Sequence, residues 1–280
     1  MGREPRLPTR SAAAAAGTSQ QLGERHQRRR RDRRHVGTSV YGDPRYGAVA
    51  ALWTPNGSGG YTVTELGKLP GDIGSSASAL NDVGDIVGFS HDGTFQRAVW
   101  FAAGGVQDIS DLVFDPQAIN DQRVLVGYGN RCVLLDLDTM TVEDLGLPPG
   151  SYSSTLGWAI NDLDQVAAEA VLSTSTHCSR QAARHSPGVG WEILSQCGSS
   201  NLASDINNRG DVVMRLNVAP YVRLQGLGTF RIEDLIVAPA GHWYLINTYG
   251  LAINDAQQIA VPGTNPATGE SGMLLLTRIP

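Results

Sequence analysis

Ser78-Ala79-Leu80-Asn81-Asp82-Val83-Gly84-Asp85-Ile86-Val87-Gly88 decides the fold, because it occurs five times in the chain. It returns as Ala118-Ile119-Asn120-Asp121 with Val126-Gly127, and as Ala159-Ile160-Asn161-Asp162 with Val166-Ala167. It returns again as Asp205-Ile206-Asn207-Asn208 with Val212-Val213, and last as Ala252-Ile253-Asn254-Asp255 with Ile259-Ala260. The asparagines are 39, 41, 46 and 47 residues apart, and recurrence in this range marks stacked supersecondary units. Asn and Asp tolerate left-handed backbone and bond their own main chain, and Gly supplies positive φ, so Asn-Asp-x-Gly between two apolar runs is hairpin-turn chemistry.

Downstream in the first unit come Arg97-Ala98-Val99-Trp100-Phe101, a turn at Ala103-Gly104-Gly105, and Val106-Gln107-Asp108-Ile109. That makes four short strands in about 40 residues, the length of a propeller blade. No stretch of the repeats carries an apolar period of 3.6, so no long helix is expected there. A lone four-stranded unit cannot bury its own faces, whereas stacking around a ring buries them and protects most edges. The expectation is an all-β, β-propeller-like domain over residues 45–280.

Two half-units flank the full ones. Ala48 to Trp53 and Tyr61 to Leu66, around Asn56-Gly57-Ser58-Gly59-Gly60, match the second half of a unit, and the last unit, from Tyr249, ends after three strands. Pairing of Tyr61–Leu66 with Met273–Thr277 would sew a ring shut. The strands then total 21, one more than five four-stranded blades need, so five blades are expected, with six or an incomplete ring as the alternatives.

These residues also carry a resemblance. Leu52-Trp53-Thr54-Pro55, Thr64-Glu65-Leu66-Gly67-Lys68-Leu69-Pro70-Gly71, the Asn-Asp-x-Gly turn and Ile86-Val87-Gly88 resemble the HAF-repeat family of bacterial proteins regarded as extracellular. The resemblance covers roughly residues 47–280. The tripeptide that names the family is degenerate, as Arg97-Ala98-Val99 and Arg131-Cys132-Val133, and Met273-Leu274-Leu275-Leu276 is similar to the way such chains end. It implies a secreted or cell-envelope protein and brings no established activity and no catalytic residues.

Residues 1–44 read as a disordered, Arg-rich tail. Up to His35 it holds ten of the 22 Lys+Arg and three of the 27 Asp+Glu, leaving 12 basic against 24 acidic residues downstream. An acidic domain argues against nucleic acid as a partner. Ala12–Ala16 is too short for a signal-peptide core and the Arg28–Arg31 block follows it, so no signal peptide is recognisable. No apolar run approaches the ~18 residues of a membrane span. With 41% hydrophobic residues and 33 Gly, the chain suits one well-buried, turn-rich domain, read as a monomer.

Site chemistry is sparse. Asn81-Asp82-x-Gly84-Asp85 places oxygens at the close spacing of Ca2+ loops. Other units replace members of the set with Arg123, Gln165, Arg209 and Gln257, so the turns are read as backbone satisfaction, and no metal or other cofactor is expected. Three cysteines fit no zinc pattern; Cys178 and Cys197 flank a hairpin and suit a disulfide in an exported protein, with two free thiols as the alternative. No histidine has a ligand partner at helical spacing or a nucleophile motif beside it. His91, Asp92, His177, Arg180, His242 and Trp243 fall in second-to-third-strand loops or unit-to-unit loops, which share one face of a propeller. These loops vary in length while the Asn-Asp turns do not, so a ligand would be read there. Trp53, Trp100, Trp158 and Trp191 are read as packing between blades. The functional expectation is a non-catalytic, extracytoplasmic binding or structural module with a protein or carbohydrate ligand. The alternative is a propeller hydrolase or lyase acting on a glycan or similar polymer, which needs converging carboxylates or a His–carboxylate pair.

Overall fold

The computed structural model describes residues 35–38, 47–129, 131–173, 178–236, 243–245 and 250–278. Among them lie six antiparallel sheets. The first holds His35–Thr38, Ala50–Pro55 and Tyr61–Gly67. The second holds Gly74–Leu80, Ile86–His91, Gln96–Ala102 and Gly105–Asp108, and the third Asp115–Ile119, Val124–Tyr128, Cys132–Asp136 and Thr141–Asp144. The fourth holds Tyr152–Ile160, Val166–Leu172, Arg180–Ser186 and Gly190–Ile193; the fifth Leu202–Ile206, Val212–Leu216, Ala219–Leu224 and Gly228–Arg231. In the sixth, Tyr244–Leu245 and Ala252–Ile253 both pair with Ile259–Thr264, which pairs onward with Ser271–Leu276. The fold is all-β and propeller-like, with one sheet per repeat.

Each Asn-Asp turn is built the same way. The Asn side-chain oxygen accepts backbone N–H groups two to four residues on: Gly84 and Asp85 at Asn81, Val124 at Asn120, Leu163 and Gln165 at Asn161, Arg209 and Asp211 at Asn207, Gln258 at Asn254. The residue three after the Asn has positive φ in all five turns: Gly84 102°, Arg123 65°, Asp164 54°, Gly210 79° and Gln257 58°.

The same asparagines also join the sheets. The Asn81 amide donates to the Asn120 carbonyl at 2.9 Å, Asn120 to Asn161 at 3.0 Å, Asn161 to Asn207 at 2.8 Å and Asn207 to Asn254 at 3.2 Å. The next residue adds a parallel rung: the N–H groups of Asp82, Asp121, Asp162 and Asn208 donate to the side chains of Asp121, Asp162, Asn208 and Asp255. Turn chemistry is therefore half of what the motif does. The other half is a ladder that runs from sheet to sheet and lets four of the asparagines stand 0–4% exposed with their polar atoms satisfied.

The units that depart from Asn-Asp-x-Gly now have a reason. A non-Gly residue at positive φ costs of order 1–3 kcal/mol. In each such case its side chain reaches back to the preceding sheet: Arg123 pairs with Asp85, Asp164 accepts from Asn120, and Gln257 donates to Asp211. These contacts offset the strain.

Apolar packing follows the same order. The second strand of each full unit is covered on both faces, so Ile86 and Val87, Leu125 and Val126, and Val166 and Ala167 are all buried. One core cluster lies at each of the five successive sheet interfaces, for example Val87, Ile109, Ile119 and Leu135 between sheets two and three. Trp100 packs on that cluster with the Arg123 guanidinium 5.2 Å from its ring centre, and Trp191 donates from sheet four to the carbonyl of Leu145, just past the last strand of sheet three.

Three expectations change. The half-unit near the N-terminus forms a sheet of its own rather than completing the last one, so the described residues hold six sheets, the alternative to five blades. His35–Thr38, inside the stretch assigned to the tail, pairs with Ala50–Pro55; its Val36-Gly37 occupies the place of Val87-Gly88 in the second sheet. The rest of that stretch lies outside the described residues. Tyr61–Gly67 pairs with Ala50–Pro55 and Ser271–Leu276 with Ile259–Thr264, and no pair joins these two strands among the described residues. Both outer strands end their own sheets.

Candidate functional site

The connectivity gives the array two unlike faces. The turn face carries the Asn-Asp turns and the third-to-fourth-strand turns. The loop face carries the second-to-third-strand turns and the connections between sheets.

Of the residues expected on the loop face, His91 closes the second strand of sheet two and is 5% exposed. A Cβ on Gly74 would lie 2.4 Å from its Nε2, so the ring fills space against the incoming connection. That connection is clamped by Asp72, which accepts from the Ser90 hydroxyl and from Arg97. Asp92 is exposed, and the Phe95 and Thr94 amides hold its carboxyl below the usual carboxylate range. Arg180 opens the third strand of sheet four and pairs with Glu169. Trp243 is half-buried beside Gly263 in sheet six. His177 and His242 lie outside the described residues. His91 and Asp92 are chain neighbours; no hydrogen bond or ion pair otherwise joins the described members of this set.

A charged cluster that sequence reading passed over does span sheets three to five. Tyr128, Glu169 and Arg215 hold equivalent places, each eight residues after its Asn. Glu169 is fully buried, and burial pushes its carboxyl up against the opposing pull of Arg180 and Arg215. Its Oε2 has no hydrogen-bond partner among the described residues. Burial, with help from Asp115 and Glu169, pushes Tyr128 up to about 12. Asp115 is likewise raised by burial, although Tyr128 and Gln117 bond its carboxylate. The signal was a single Glu inside the apolar run Val166-Ala167-Ala168-Glu169-Ala170-Val171.

The sign of the pH effect follows. Glu169 has a folded-state pKa above its unfolded value, so the stability it contributes is present at acid pH and is lost as pH rises through the folded value. Replacing Glu169 by Gln is expected to raise the thermal midpoint relative to wild type at pH 7, with the difference shrinking toward pH 4. A difference that grows on acidification contradicts this account.

Next to Arg180, Cys178 and Cys197 form a disulfide with Cα atoms 5.3 Å apart. Arg180 and Gly198 exchange both backbone hydrogen bonds at 2.9 Å, so the link ties the second-to-third-strand loop to the connection into sheet five. The two cysteines are 19 positions apart, and for a loop of that length chain entropy gives about 3 kcal/mol. Cys132 is free, buried, and pushed up to about 12, chiefly by burial. The folded, unreduced protein should therefore resist alkylation at all three cysteines at pH 8, and replacing Cys178 and Cys197 by Ser should lower stability by about 2–4 kcal/mol. Rapid labelling of the native protein counts against both assignments.

Two cavities complete the site. On the turn face, about 270 Å3 opens between sheets three and four, with Asp136, Glu143, Asp164 and His185 in its wall. Burial pulls the His185 imidazole down, against Glu143. On the loop face, about 400 Å3 lies between the connection Ser110–Phe114 and the strand edge at Gly129, Arg131, Val133 and Asp144. Phe114, in its lining, is 69% exposed; Phe95, on the same face but on the loop of sheet two and outside the lining, is 70% exposed.

No family model and no curated protein matches the chain. Among solved structures, the chain is similar to the extracellular domain assigned to a one component system of B. thetaiotaomicron, at 10% identity and TM-score 0.50, over 82% of this chain and 31% of that one. It is similar to a chain of the nidogen/laminin complex at 10% identity and TM-score 0.46, over 88% of this chain and 94% of that one. It is also similar to PorZ, a bacterial surface component of the type-IX secretion system of Porphyromonas gingivalis, at 13% identity and TM-score 0.43, over 82% and 32%. The chain thus spans about a third of the first and the last of these. At such identity the likeness to the first shows the fold alone.

Proposed function

We propose that this chain is an extracytoplasmic, non-catalytic β-repeat module of the HAF-repeat kind, which binds a surface ligand through its loop face. The observation that carries the reading is the contrast between the faces. On the turn face the motif's side chains are consumed by the ladder between sheets. On the loop face, exposed aromatics, charged groups and an open cavity stand on connections of unequal length, the arrangement in which a rigid scaffold presents binding residues. The Cys178–Cys197 disulfide fits an oxidising compartment, and the extracellular setting named for the B. thetaiotaomicron domain agrees with it. Among the described residues no helix is long and apolar enough to cross a membrane.

The test is blockade of one face at a time. Single cysteines replacing Val218 on the loop face or Val83 on the turn face, both exposed, are coupled to a bulky polyethylene glycol. Binding to printed arrays of glycans and surface proteins is then scored. Loss only with the loop-face adduct supports the reading; loss only with the turn-face adduct, or with neither, sinks it.

A further inference from the structure

The loop-face cavity has a composition that selects among ligand classes. Its floor is apolar: Leu112, Val113 and Val133 line it. Val113 can settle there because Gly127 lies beneath it; a Cβ on Gly127 would stand 2.4 Å from Val113 Cγ2. Phe114 follows at once in the chain and turns its ring to solvent. The rim is polar. Arg131 Nη1 lies 3.1 Å from Asp144 Oδ2, both side chains half-exposed, and Gly146 N–H holds the other Asp144 oxygen at 2.8 Å. Asp111 is exposed and bonds no other described residue. The volume falls within the range of small-molecule sites.

We propose that this cavity is a subsite for a neutral saccharide, stacked on Phe114 and bonded by Asp111, Asp144 and Arg131. This rests on the binding-module reading above and narrows its ligand. A pyranose ring has an apolar C–H face, which suits an exposed aromatic ring, and a rim of vicinal hydroxyls. Carboxylate and guanidinium forks accept and donate in pairs, matching adjacent hydroxyls. Two carboxylates against one guanidinium disfavour a uronic acid. A peptide would instead seek an unpaired strand or a deep hydrophobic groove, whereas the wall here is mostly polar.

Saturation-transfer NMR and calorimetry with cellotetraose, maltotetraose, chitotetraose and mannotetraose, and with tetragalacturonate as the acidic comparison, test it. At least one neutral probe is expected to bind, with Phe114→Ala and Asp111→Asn each weakening it at least tenfold. Phe95→Ala, on the same face away from the cavity, should leave it within twofold. Phe114 and Asp111 are exposed, so an unchanged thermal midpoint in each variant guards against misfolding. Binding to no probe, or to tetragalacturonate alone, overturns the proposal. Neutral binding that survives Phe114→Ala but is lost with Phe95→Ala overturns the cavity assignment while leaving the loop face as binding face. Neutral binding that survives the loop-face polyethylene glycol adduct overturns both.

Discussion

Asn161→Asp will destabilise the domain about as much as Asn161→Ala, by about 3 kcal/mol. If the motif were only a turn, Asp would be a near-neutral substitute, because both residues cap the same local backbone. Asn161 is 4% exposed and makes four bonds at once. Its oxygen accepts from the amides of Leu163 and Gln165, and its nitrogen donates to the Gln165 side chain and to the Asn207 carbonyl. Asp keeps the first pair and turns the second into a carboxylate oxygen facing a buried carbonyl. Each buried group left unsatisfied costs about 1–3 kcal/mol. Denaturant unfolding at pH 7 decides the matter. An Asp variant close to wild type, with Ala well below, would return the residue to turn chemistry alone.

The ladder explains why some of the architecture was legible and some was not. Four Asn-Asp turns and one Asn-Asn turn at near-even spacing fix a hairpin per unit, because hairpin geometry is local and Asn, Asp and Gly are the residues that meet it. The partner of the Asn amide is a backbone carbonyl 39 to 47 residues away. A carbonyl has no residue signature, so the inter-sheet half of the motif leaves no trace in composition. Arg123 and Gln257 looked like degenerate members of a turn set; they are connectors whose partners, Asp85 and Asp211, lie in the preceding unit. Strand counting preferred five units over six for a related reason. The first fragment recruits His35–Thr38 from a stretch whose arginines argue for solvent, and a four-residue strand is too short to announce itself beside that charge. At the site, Arg180 was visible as a loop residue, but Glu169 was hidden as the one acid in an apolar strand. Phe114, Asp111 and Arg131 come from a connection and a strand edge that meet only in three dimensions.

Gly88→Ala is the second large effect. The first strand of sheets two to five carries a bulge at one repeated place, between Ala77 and Ala79, Pro116 and Ala118, Gly157 and Ala159, and Ala203 and Asp205. Just before the bulge the two strands press together, and in sheets two to four one member of the facing pair is glycine: Ala77 with Gly88, Pro116 with Gly127, Gly157 with Ala168. A Cβ on Gly88 would lie 2.1 Å from the Ser76 carbonyl oxygen and 2.8 Å from the Ala77 Cα. Both are backbone atoms of a hydrogen-bonded strand and cannot rotate away, so the strands must part; overpacking of this kind costs about 3 kcal/mol. The methyl is unwelcome here for contact rather than conformation, since Gly88 does not have positive φ. Gly104→Ala, where nothing lies within 4 Å, is the matched control and should shift the midpoint by about 0.5 kcal/mol or less. Adding Ala77→Gly to Gly88→Ala recreates the glycine–alanine pair of sheet four, frees the bulged strand to move, and should recover part of the loss. Equal stability of Gly88→Ala and Gly104→Ala in denaturant unfolding would show that the strands at the bulge are not held against each other as the register requires.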